Sequence, residues 1–226
     1  MHKLFIFDCD GTLVDSQHLI VGAMSSAFIA NNMPVPPRAK LVRSIGLSLT
    51  EAMSTLANGA SEEMINKLAV AYRSASLEMR RKAMHPDPMF PGAREAVEAL
   101  ARQEDVFLGI ATGKSRRGVY LFLEREGLRK AFATVQTADD APSKPHPAMI
   151  RQAMAAVGAR PENTVMIGDT SFDMQMARAA GVRGVGVNWG YHAPNALTKA
   201  GASTVATDFS GLVSLLLSLK RMNAVA

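Results

Sequence analysis

Short apolar runs, each followed by a segment with helical spacing, recur along the chain. The runs are rich in β-branched residues and have the length of buried strands, whereas the segments between them repeat apolar residues every three to four positions. Strands that alternate with helices in this way predict a parallel sheet covered by helices on both faces. The predicted strands are Lys3–Asp8, Val106–Thr112, Ala133–Thr137, Thr164–Asp169, Gly184–Asn188 and Ser203–Thr207, and the predicted core helices are Ala93–Gln103, Ser115–Glu126, Pro147–Val157 and Phe172–Ala180.

The alternation is interrupted once, between Ser16 and Ala83, where the pattern contains helical spacing and no convincing strand. One apolar stripe runs through Leu19–Phe28 and another through Met64–Ala75. The simplest interpretation is a helical insert after the first strand. We therefore predict a doubly wound α/β fold in which residues 1–15 and 91–226 form the core and residues 16–90 form an all-helical cap with its hinge linkers.

Composition narrows the classes of function. The 226 residues carry 25 Lys and Arg against 20 Asp and Glu, a formal charge of +5. Most of this surplus lies in the insert, which holds eight basic and four acidic residues between positions 16 and 83, a net charge of +4. A basic insert favours a small anionic substrate. Nucleic-acid binding is not expected, because it favours a basic stripe with stacking aromatics and only 6% of the residues are aromatic.

The single cysteine, Cys9, excludes a disulfide framework and a cysteine-based zinc site. The apolar stretch Leu212–Leu219 is far shorter than the ~20 residues that a membrane span needs. We therefore expect a cytoplasmic protein with no membrane partner, present as a monomer or a homodimer.

Carboxylates follow two of the predicted strands. Asp8 and Asp10 end the first strand, and Asp169 ends the fourth, with Asp173 in the first turn of the next helix. Because parallel strands end at one edge of the sheet, Asp8, Asp10 and Asp169 are expected to converge there. Carboxylates gathered in this way favour a bound cation, and oxygen ligands suit Mg²⁺. Asp173 has the alternative of being only a favourable charge at a helix N-terminus.

A second group of residues has the chemistry of an anion site. Thr112-Gly113-Lys114-Ser115 follows another strand and opens a helix, so that a hydroxyl and free backbone N–H groups lie together. The segment lacks the glycine spacing of a nucleotide-binding P-loop. Lys144, between stiff turns before a helix, supplies a cation that could neutralise a phosphoryl group.

Taken together, these residues resemble the haloacid dehalogenase (HAD) superfamily of Mg²⁺-dependent phosphohydrolases. The resemblance rests on four motifs in order: Asp8-x-Asp10-Gly11-Thr12, Thr112, Lys144 and Gly168-Asp169-x-x-x-Asp173. It covers essentially the whole chain, and the insert matches the C1-type helical cap of that superfamily. The segments Phe90-Pro91-Gly92, Ala111–Ser115 and Trp189-Gly190-Tyr191 further resemble its phosphoglycolate phosphatase-like branch.

The resemblance implies a role for each motif. Asp8 would be the nucleophile that forms an aspartyl-phosphate, and Asp10 would be the general acid and base. Thr112 and Lys144 would act on the transferring phosphoryl group. The implied metal residues are Asp8, Asp10 (through its backbone carbonyl) and Asp169, which would bind Mg²⁺ directly, and Asp173, which would lie beside these ligands without touching the ion. The predicted substrate- or phosphate-binding residues are Gly11, Gly113, Lys114 and Arg43.

Two alternatives to a phosphatase acting on a small phosphorylated metabolite remain open at this point. A phosphomutase similar to β-phosphoglucomutase would share the core residues and differ in the cap. A non-enzymatic phospho-acceptor or binding module would use a Mg²⁺-bound aspartate and a lysine, but such receivers are about half this length and lack a helical insert. Within the cap, the turn Arg43–Ser48 is the best candidate for a substrate-reading segment. Arg43 would be a two-pronged donor to a substrate carboxylate or a second phosphate, with the alternative that it is only a solvated arginine at a helix end.

Overall fold

The computed structural model describes residues 2–82 and 87–222. Within them, six strands form one sheet in which every neighbouring pair is parallel. All six predicted strands are confirmed, with ends that differ from the prediction by no more than a residue. The strands are β1 Lys3–Phe7, β2 Val106–Thr112, β3 Thr134–Thr137, β4 Thr164–Gly168, β5 Arg183–Val187 and β6 Thr204–Ala206.

The strand order across the sheet is β3-β2-β1-β4-β5-β6. The chain therefore winds outward in one direction through β2 and β3 and in the other through β4 to β6. The reversal lies between β1 and β4, where Phe7 pairs with Ile167 near the carboxyl ends of both strands. Ligands of such sheets bind in the crevice at this reversal, outside the carboxyl ends of the strands.

Helices cover both faces of the sheet, as predicted for a doubly wound fold. The two faces carry separate apolar clusters, because alternate residues of a strand point to opposite sides: Phe5 and Phe7 belong to one cluster, and Leu4 and Ile6 to the other. The α-helices of the described residues are α1 Gln17–Ala30, α2 Arg38–Arg43, α3 Leu49–Leu56, α4 Glu62–Lys82, α5 Ala93–Ala101, α6 Arg116–Arg125, α7 Ala148–Val157, α8 Ser171–Ala180, α9 Pro194–Ala200 and α10 Phe209–Met222.

The four helices α1 to α4 form the insert between β1 and α5. They have their own apolar cluster, in which Phe28 of α1, Leu41 of α2, Met53 of α3 and Leu68 of α4 are buried. This cluster explains how the insert is stable without strands, since each helix buries its apolar stripe against another helix. Residues 83–86 of the predicted return to the core lie outside the described residues.

Two helices near the C-terminus were not predicted. In α9 the start is set by Pro194, which suits the first turn of a helix because it needs no N–H donor there. In α10 the buried residues Phe209, Leu212 and Leu216 are spaced for one helix face, but Gly211 and the serines between them weaken the pattern. None of the helices in the described part of the chain is long and apolar enough to cross a membrane.

Candidate active site

The first acidic residues, Asp8 and Asp10, lie where β1 ends and the chain turns. The backbone N–H of Asp8 donates to the Ile167 carbonyl oxygen at 2.9 Å, which ties this turn to β4. The turn places Gly11 at φ +88°, a left-handed conformation that residues with a side chain rarely adopt. A Cβ at Gly11 would also overlap the carboxylate of Asp169. Glycine is therefore needed both for the turn and for the close approach of the β4 end.

Gly11→Ala is expected to destabilise the protein and to lower its activity at least tenfold, because the new methyl group displaces Asp169. Gly59→Ala is the matched control: Gly59 has φ +84° and nothing within 4 Å of an added Cβ. The control should therefore lose only about 1 kcal/mol of unfolding free energy, the cost of placing a residue with a side chain in a left-handed backbone conformation. Denaturant unfolding and phosphate release would be measured for both variants. Equal losses of stability with unchanged turnover would contradict the contact between Gly11 and Asp169.

Three carboxylates and one lysine meet at the carboxyl edge of the sheet. Asp8, Asp169 and Asp173 each offer an oxygen within 4.8 Å of the others. Lys144 Nζ lies 2.8 Å from Asp8 Oδ1 and 2.6 Å from Asp173 Oδ1. All four side chains are buried. The structure thus brings Asp8 and Asp169 together, as the strand pattern predicted, whereas the carboxylate of Asp10, predicted to converge with them, is held apart by Lys114 and Ser16.

Asp173 has two functions in this arrangement. Its Oδ2 accepts hydrogen bonds from the backbone N–H of Thr170 at 3.0 Å and from the Thr170 hydroxyl at 2.6 Å. The Thr170 hydroxyl in turn accepts from the backbone N–H of Asp173, which completes a capping box at the start of α8. The other carboxylate oxygen of Asp173, Oδ1, faces Lys144. Asp173 therefore caps a helix and also belongs to the carboxylate group, so the two interpretations of this residue are compatible.

The electrostatics of the group follow from its burial. Burial raises the pKa of Asp8 to about 7 against the opposing attraction of Lys144, and Asp173 and Asp10 add to the rise. Burial and the charges of Asp8 and Asp173 likewise raise the pKa of Asp169 well above its usual value. For Lys144, burial favours the neutral amine, but Asp173 and Asp8 outweigh it and hold its pKa above the ordinary value. Lys144 is therefore charged, whereas Asp8 and Asp169 resist ionisation.

These residues fit a divalent cation. The three carboxylates carry three negative charges when ionised, and Lys144 supplies one positive charge, which leaves two charges uncompensated. Asp8 Oδ2 is buried and has no hydrogen-bond partner among the described residues. A buried carboxylate oxygen without a partner is costly unless a cation or donor meets it. Oxygen donors of this kind are the ligands that Mg²⁺ prefers.

The carboxylate of Asp10 lies apart from that group and has its own partners. Its Oδ1 accepts a hydrogen bond from the Ser16 hydroxyl at 2.6 Å and pairs with Lys114 Nζ at 2.7 Å. Burial opposes ionisation of Asp10, but Lys114 and Ser16 outweigh it and lower the pKa of this carboxyl below its usual value. The same lysine lies 3.7 Å from Asp87 Oδ2. Lys114, predicted to bind phosphate, is thus held next to Asp10 at the site.

Thr112 and Gly113 of the predicted anion site lie at the end of β2, and Gly113 approaches the insert. The hydroxyl of Thr112 accepts a hydrogen bond from the Lys114 backbone N–H at 3.3 Å. A Cβ at Gly113 would overlap the backbone carbonyl of Leu47, so glycine allows the turn between α2 and α3 to reach the core. That turn is also held by the Ser48 backbone N–H, which donates to the Ser143 hydroxyl at 2.8 Å.

A cavity of about 750 Å³ lies between the insert and the core. Its base contains Asp8, Asp10 and Thr112, and the turn Ser44–Ser48 forms part of its wall. The predicted substrate-reading turn therefore does line the cavity. Arg43 does not: it is exposed, it ends α2, and it is not among the lining residues. The structure places the next residue, Ser44, in the wall, and the backbone carbonyl of Arg43 instead lies 3.3 Å from His192 Nε2.

Residues to which the sequence analysis gave no role at the site complete it. Asp169 accepts hydrogen bonds from the Thr12 hydroxyl at 3.0 Å and from the Tyr191 backbone N–H at 2.8 Å. The hydroxyl of Tyr191 accepts from the Ser16 backbone N–H at 3.0 Å. A Cβ at Gly190 would overlap Asp169, which explains the glycine before Tyr191. The sequence signal that could have indicated these contacts is the Gly190-Tyr191 pair, which follows soon after the end of a predicted strand. Cys9, by contrast, is buried in the apolar core, as expected for a packing residue.

Comparisons with known proteins agree with this geometry. The family model described as haloacid dehalogenase-like hydrolase matches residues 5–187. A probable phosphatase of Dickeya dadantii, IndB, is 34% identical over 99% of this chain and 97% of its own length. The phosphoglycolate phosphatase of Photorhabdus laumondii is 28% identical, covering 94% of this chain and 91% of that protein.

A solved structure has the same fold. The crystal structure of a hydrolase from Pseudomonas syringae superimposes with a TM-score of 0.84 at 29% identity, over 96% of this chain and 99% of that one. The family match spans the strands and loops that carry the four motifs, and the chain is covered nearly end to end by named phosphatases. The chain therefore belongs to the haloacid dehalogenase-like hydrolase family, within which it is a phosphatase.

Proposed function

We propose that the protein hydrolyses a small phosphate monoester through an aspartyl-phosphate on Asp8, with Mg²⁺ as cofactor. The observation that carries the proposal is the placement of Asp8: it lies at the base of the cavity, next to Lys144, and its Oδ2 lacks a hydrogen-bond partner among the described residues. A carboxylate with a free oxygen and a fixed cation beside it is suited to attack phosphorus.

In the first step, an oxygen of Asp8 forms a bond to phosphorus while the bond from phosphorus to the ester oxygen breaks. The departing alkoxide takes a proton from Asp10, so that an alcohol and an aspartyl-phosphate result. Lys144, the Thr112 hydroxyl and backbone N–H groups at Gly113 and Lys114 would neutralise the phosphoryl oxygens. Positioning and charge neutralisation of this kind account for most of the catalysis of phosphoryl transfer.

In the second step, Asp10 takes a proton from a water molecule, whose oxygen attacks phosphorus. The bond to Asp8 breaks, and phosphate leaves with both carboxyl groups restored. Lys114 and Ser16 favour the ionised form of Asp10, which suits its role as a base. A phosphoryl dianion nearby would compete for Lys114 and, as a like charge, would raise the pKa of Asp10 toward the protonated form that the first step needs.

The residues that would hold Mg²⁺ are the carboxylates of Asp8 and Asp169 and the backbone carbonyl of Asp10, with Asp173 beside them. Bound there, Mg²⁺ would supply charge neutralisation and a fixed position for the phosphoryl group. Thr12 and Tyr191 support the proposal because they hold the carboxylate of Asp169 in one orientation.

Residues 16–90 would act as the cap over this site and residues 1–15 and 91–226 as the catalytic core. Contacts of the turn Ser44–Ser48 with Gly113 and Ser143 support this division, since they close one side of the cavity. Phosphoglycolate is a first substrate to test, because a relative is named for it. The proposed location of the protein is the cytoplasm.

Removal of Mg²⁺ with EDTA is expected to abolish phosphate release from an aryl phosphate, and added Mg²⁺ should restore it. Mg²⁺ at a hundredfold excess over its Kd should also stabilise the protein by about 2.7 kcal/mol, measured by thermal unfolding without substrate. Asp169→Asn should lose most of this stabilisation. Metal-independent turnover would contradict the proposal, as would isomerisation of a sugar phosphate in the presence of its bisphosphate without phosphate release.

A further inference from the structure

The cavity above Asp8 has two helical walls whose composition the proposed chemistry does not use. One wall is a face of α4 in the insert, and the other is a face of α6 in the core. Every residue of a wall has another wall residue three or four positions away, so that the residues lie along one side of the helix. The α4 wall contains Tyr72, Arg73, Ser76, Leu77 and Arg80, and the α6 wall contains Arg117, Gly118, Leu121, Phe122 and Arg125.

Each wall exposes a leucine to the cavity. Leu77 is 48% exposed and Leu121 is 57% exposed, which makes them two of the large hydrophobic side chains that the described part of the chain leaves open. Both line the cavity. Covering these side chains with the carbon body of a ligand would be favourable, because apolar surface would leave water. Transfer of the phosphoryl group alone does not require an apolar wall.

Each wall also carries a cation that no acidic group of the described residues neutralises. Arg80 pairs with Asp87, Lys114 pairs with Asp10, and Arg125 donates to Glu126. The side chains of Arg73 and Arg117, in contrast, make no ion pair or hydrogen bond with another residue of the ranges 2–82 and 87–222. Each unpaired arginine lies four residues before the exposed leucine of its own helix. The two walls thus repeat the same pair, one cation followed by one apolar side chain.

The position of Arg73 sets it apart from the phosphoryl site. Arg80 contacts Asp87, which Lys114 also approaches beside Asp10, so this end of α4 is next to the site. Arg73 precedes Arg80 by seven residues, which corresponds to about 10 Å along the helix axis. An anionic group at Arg73 would therefore be held about two helical turns farther along α4 than the end that meets the site, which suits the far end of an extended ligand.

We infer that the cavity selects a phosphate monoester with an extended apolar body and a second anionic group, held by Arg73 of the insert and Arg117 of the core. This inference rests on the proposed function and names its substrate class. The volume of about 750 Å³ supports it, because cavities of ~300–1,000 Å³ enclose ligands much larger than phosphoglycolate. The carboxylate of phosphoglycolate is too close to its phosphoryl group to span this length of α4.

The test compares three esters by phosphate release: ethyl phosphate, hexyl phosphate and 6-(phosphonooxy)hexanoate, which is hexyl phosphate with a terminal carboxylate. The wild-type kcat/KM for the carboxylate-terminated ester should exceed that for hexyl phosphate about tenfold, the effect of a charge-assisted hydrogen bond. Hexyl phosphate should exceed ethyl phosphate severalfold, because its chain covers Leu77 and Leu121.

Arg73→Met/Arg117→Met should reduce the ratio between the carboxylate-terminated ester and hexyl phosphate to about one. The matched control is Arg81→Met/Lys130→Met, which removes the same charge from exposed positions that do not line the cavity. The control should keep the tenfold ratio.

Three outcomes would overturn the inference alone. A wild-type ratio near one, or a ratio that the control lowers as much as the double variant, would remove the second anion site. Equal rates for ethyl and hexyl phosphate would remove the apolar subsite. All three results leave the proposed function intact, because all three esters would still be hydrolysed. Failure of the wild-type enzyme to release phosphate from any ester with Mg²⁺ present would instead overturn the proposed function and this inference together.

Discussion

Asp8→Asn is expected to lower the rate of phosphate release by about 10⁴-fold or more, the size of effect seen when a catalytic nucleophile or its direct partner is removed. The amide keeps the shape of the side chain but is a poor nucleophile for phosphorus. Folding should survive the change, because burial already raises the pKa of Asp8 to about 7 and the site tolerates an uncharged group there. Turnover of an aryl phosphate with Mg²⁺ would be measured for variant and wild type.

Asp208→Asn is the matched control for this change. Asp208 is exposed and lies far along the chain, where its Oδ1 accepts from the Gly211 backbone N–H at 2.8 Å at the start of α10. Asparagine caps a helix about as well as aspartate, so activity and stability should both be retained. Asp8→Asn with activity within tenfold of the wild type would show that another group attacks phosphorus, and the aspartyl-phosphate would have to be abandoned.

Lys144→Met is expected to destabilise the metal-free protein by about 3–5 kcal/mol at pH 8, because it leaves Asp8 and Asp173 buried without their cation. The loss should be smaller at pH 5. The pKa of Asp8 in the folded protein, about 7, lies above its ordinary value of 3.8, so the native state binds more protons between these values. The free energy of unfolding therefore falls as pH rises through this window, and more steeply without the lysine.

Lys3→Met separates this effect from the general cost of changing a buried lysine. Lys3 is also buried, but its Nζ donates to the neutral amide oxygen of Asn163 at 2.9 Å. Replacing Lys3 should lower the free energy of unfolding much less than replacing Lys144, and this loss should depend less on pH. Urea unfolding in EDTA at both pH values would measure the difference. Equal costs for the two variants would mean that the carboxylates do not depend on Lys144. Lys144→Met should also lower phosphate release by about 10²–10³-fold, the usual effect of losing one donor to the transition state.

The local pattern of apolar and polar residues was sufficient to predict the sheet. A strand buried on both faces is an unbroken apolar run, and Leu4–Phe7 and Val165–Ile167 have no other simple interpretation once helices follow them. The convergence of Asp8 and Asp169 then follows from geometry, because parallel strands end at one edge. The helix α10 escaped prediction because its apolar face is defined by contacts with β6 and α5, while its own sequence contains glycine and serines.

Contacts between side chains from distant segments were not accessible from the pattern. The pairing of Lys114 with Asp10 joins two strand ends, and the support of Asp169 by Tyr191 joins β4 to a loop after β5. Each contact depends on the direction in which a side chain points just beyond the end of a strand. There, side chains no longer alternate between the two faces of the sheet, so the sequence pattern does not predict their direction. For this reason the sequence predicted Lys114 as a phosphate ligand but did not predict its ion pair with Asp10.

The chain's own sequence determined the α/β core, the helical insert and the positions of Asp8, Asp169 and Lys144, since these depend on local hydrophobic spacing and on the order of the motifs. Only the tertiary structure decided which insert residues reach the cavity. Successive residues of a helix point about 100° apart, so the choice between Arg43 and Ser44, or the presence of Arg73 in the wall, depends on how each helix is rotated against the core. That rotation is set by packing between the helices, which no segment encodes alone.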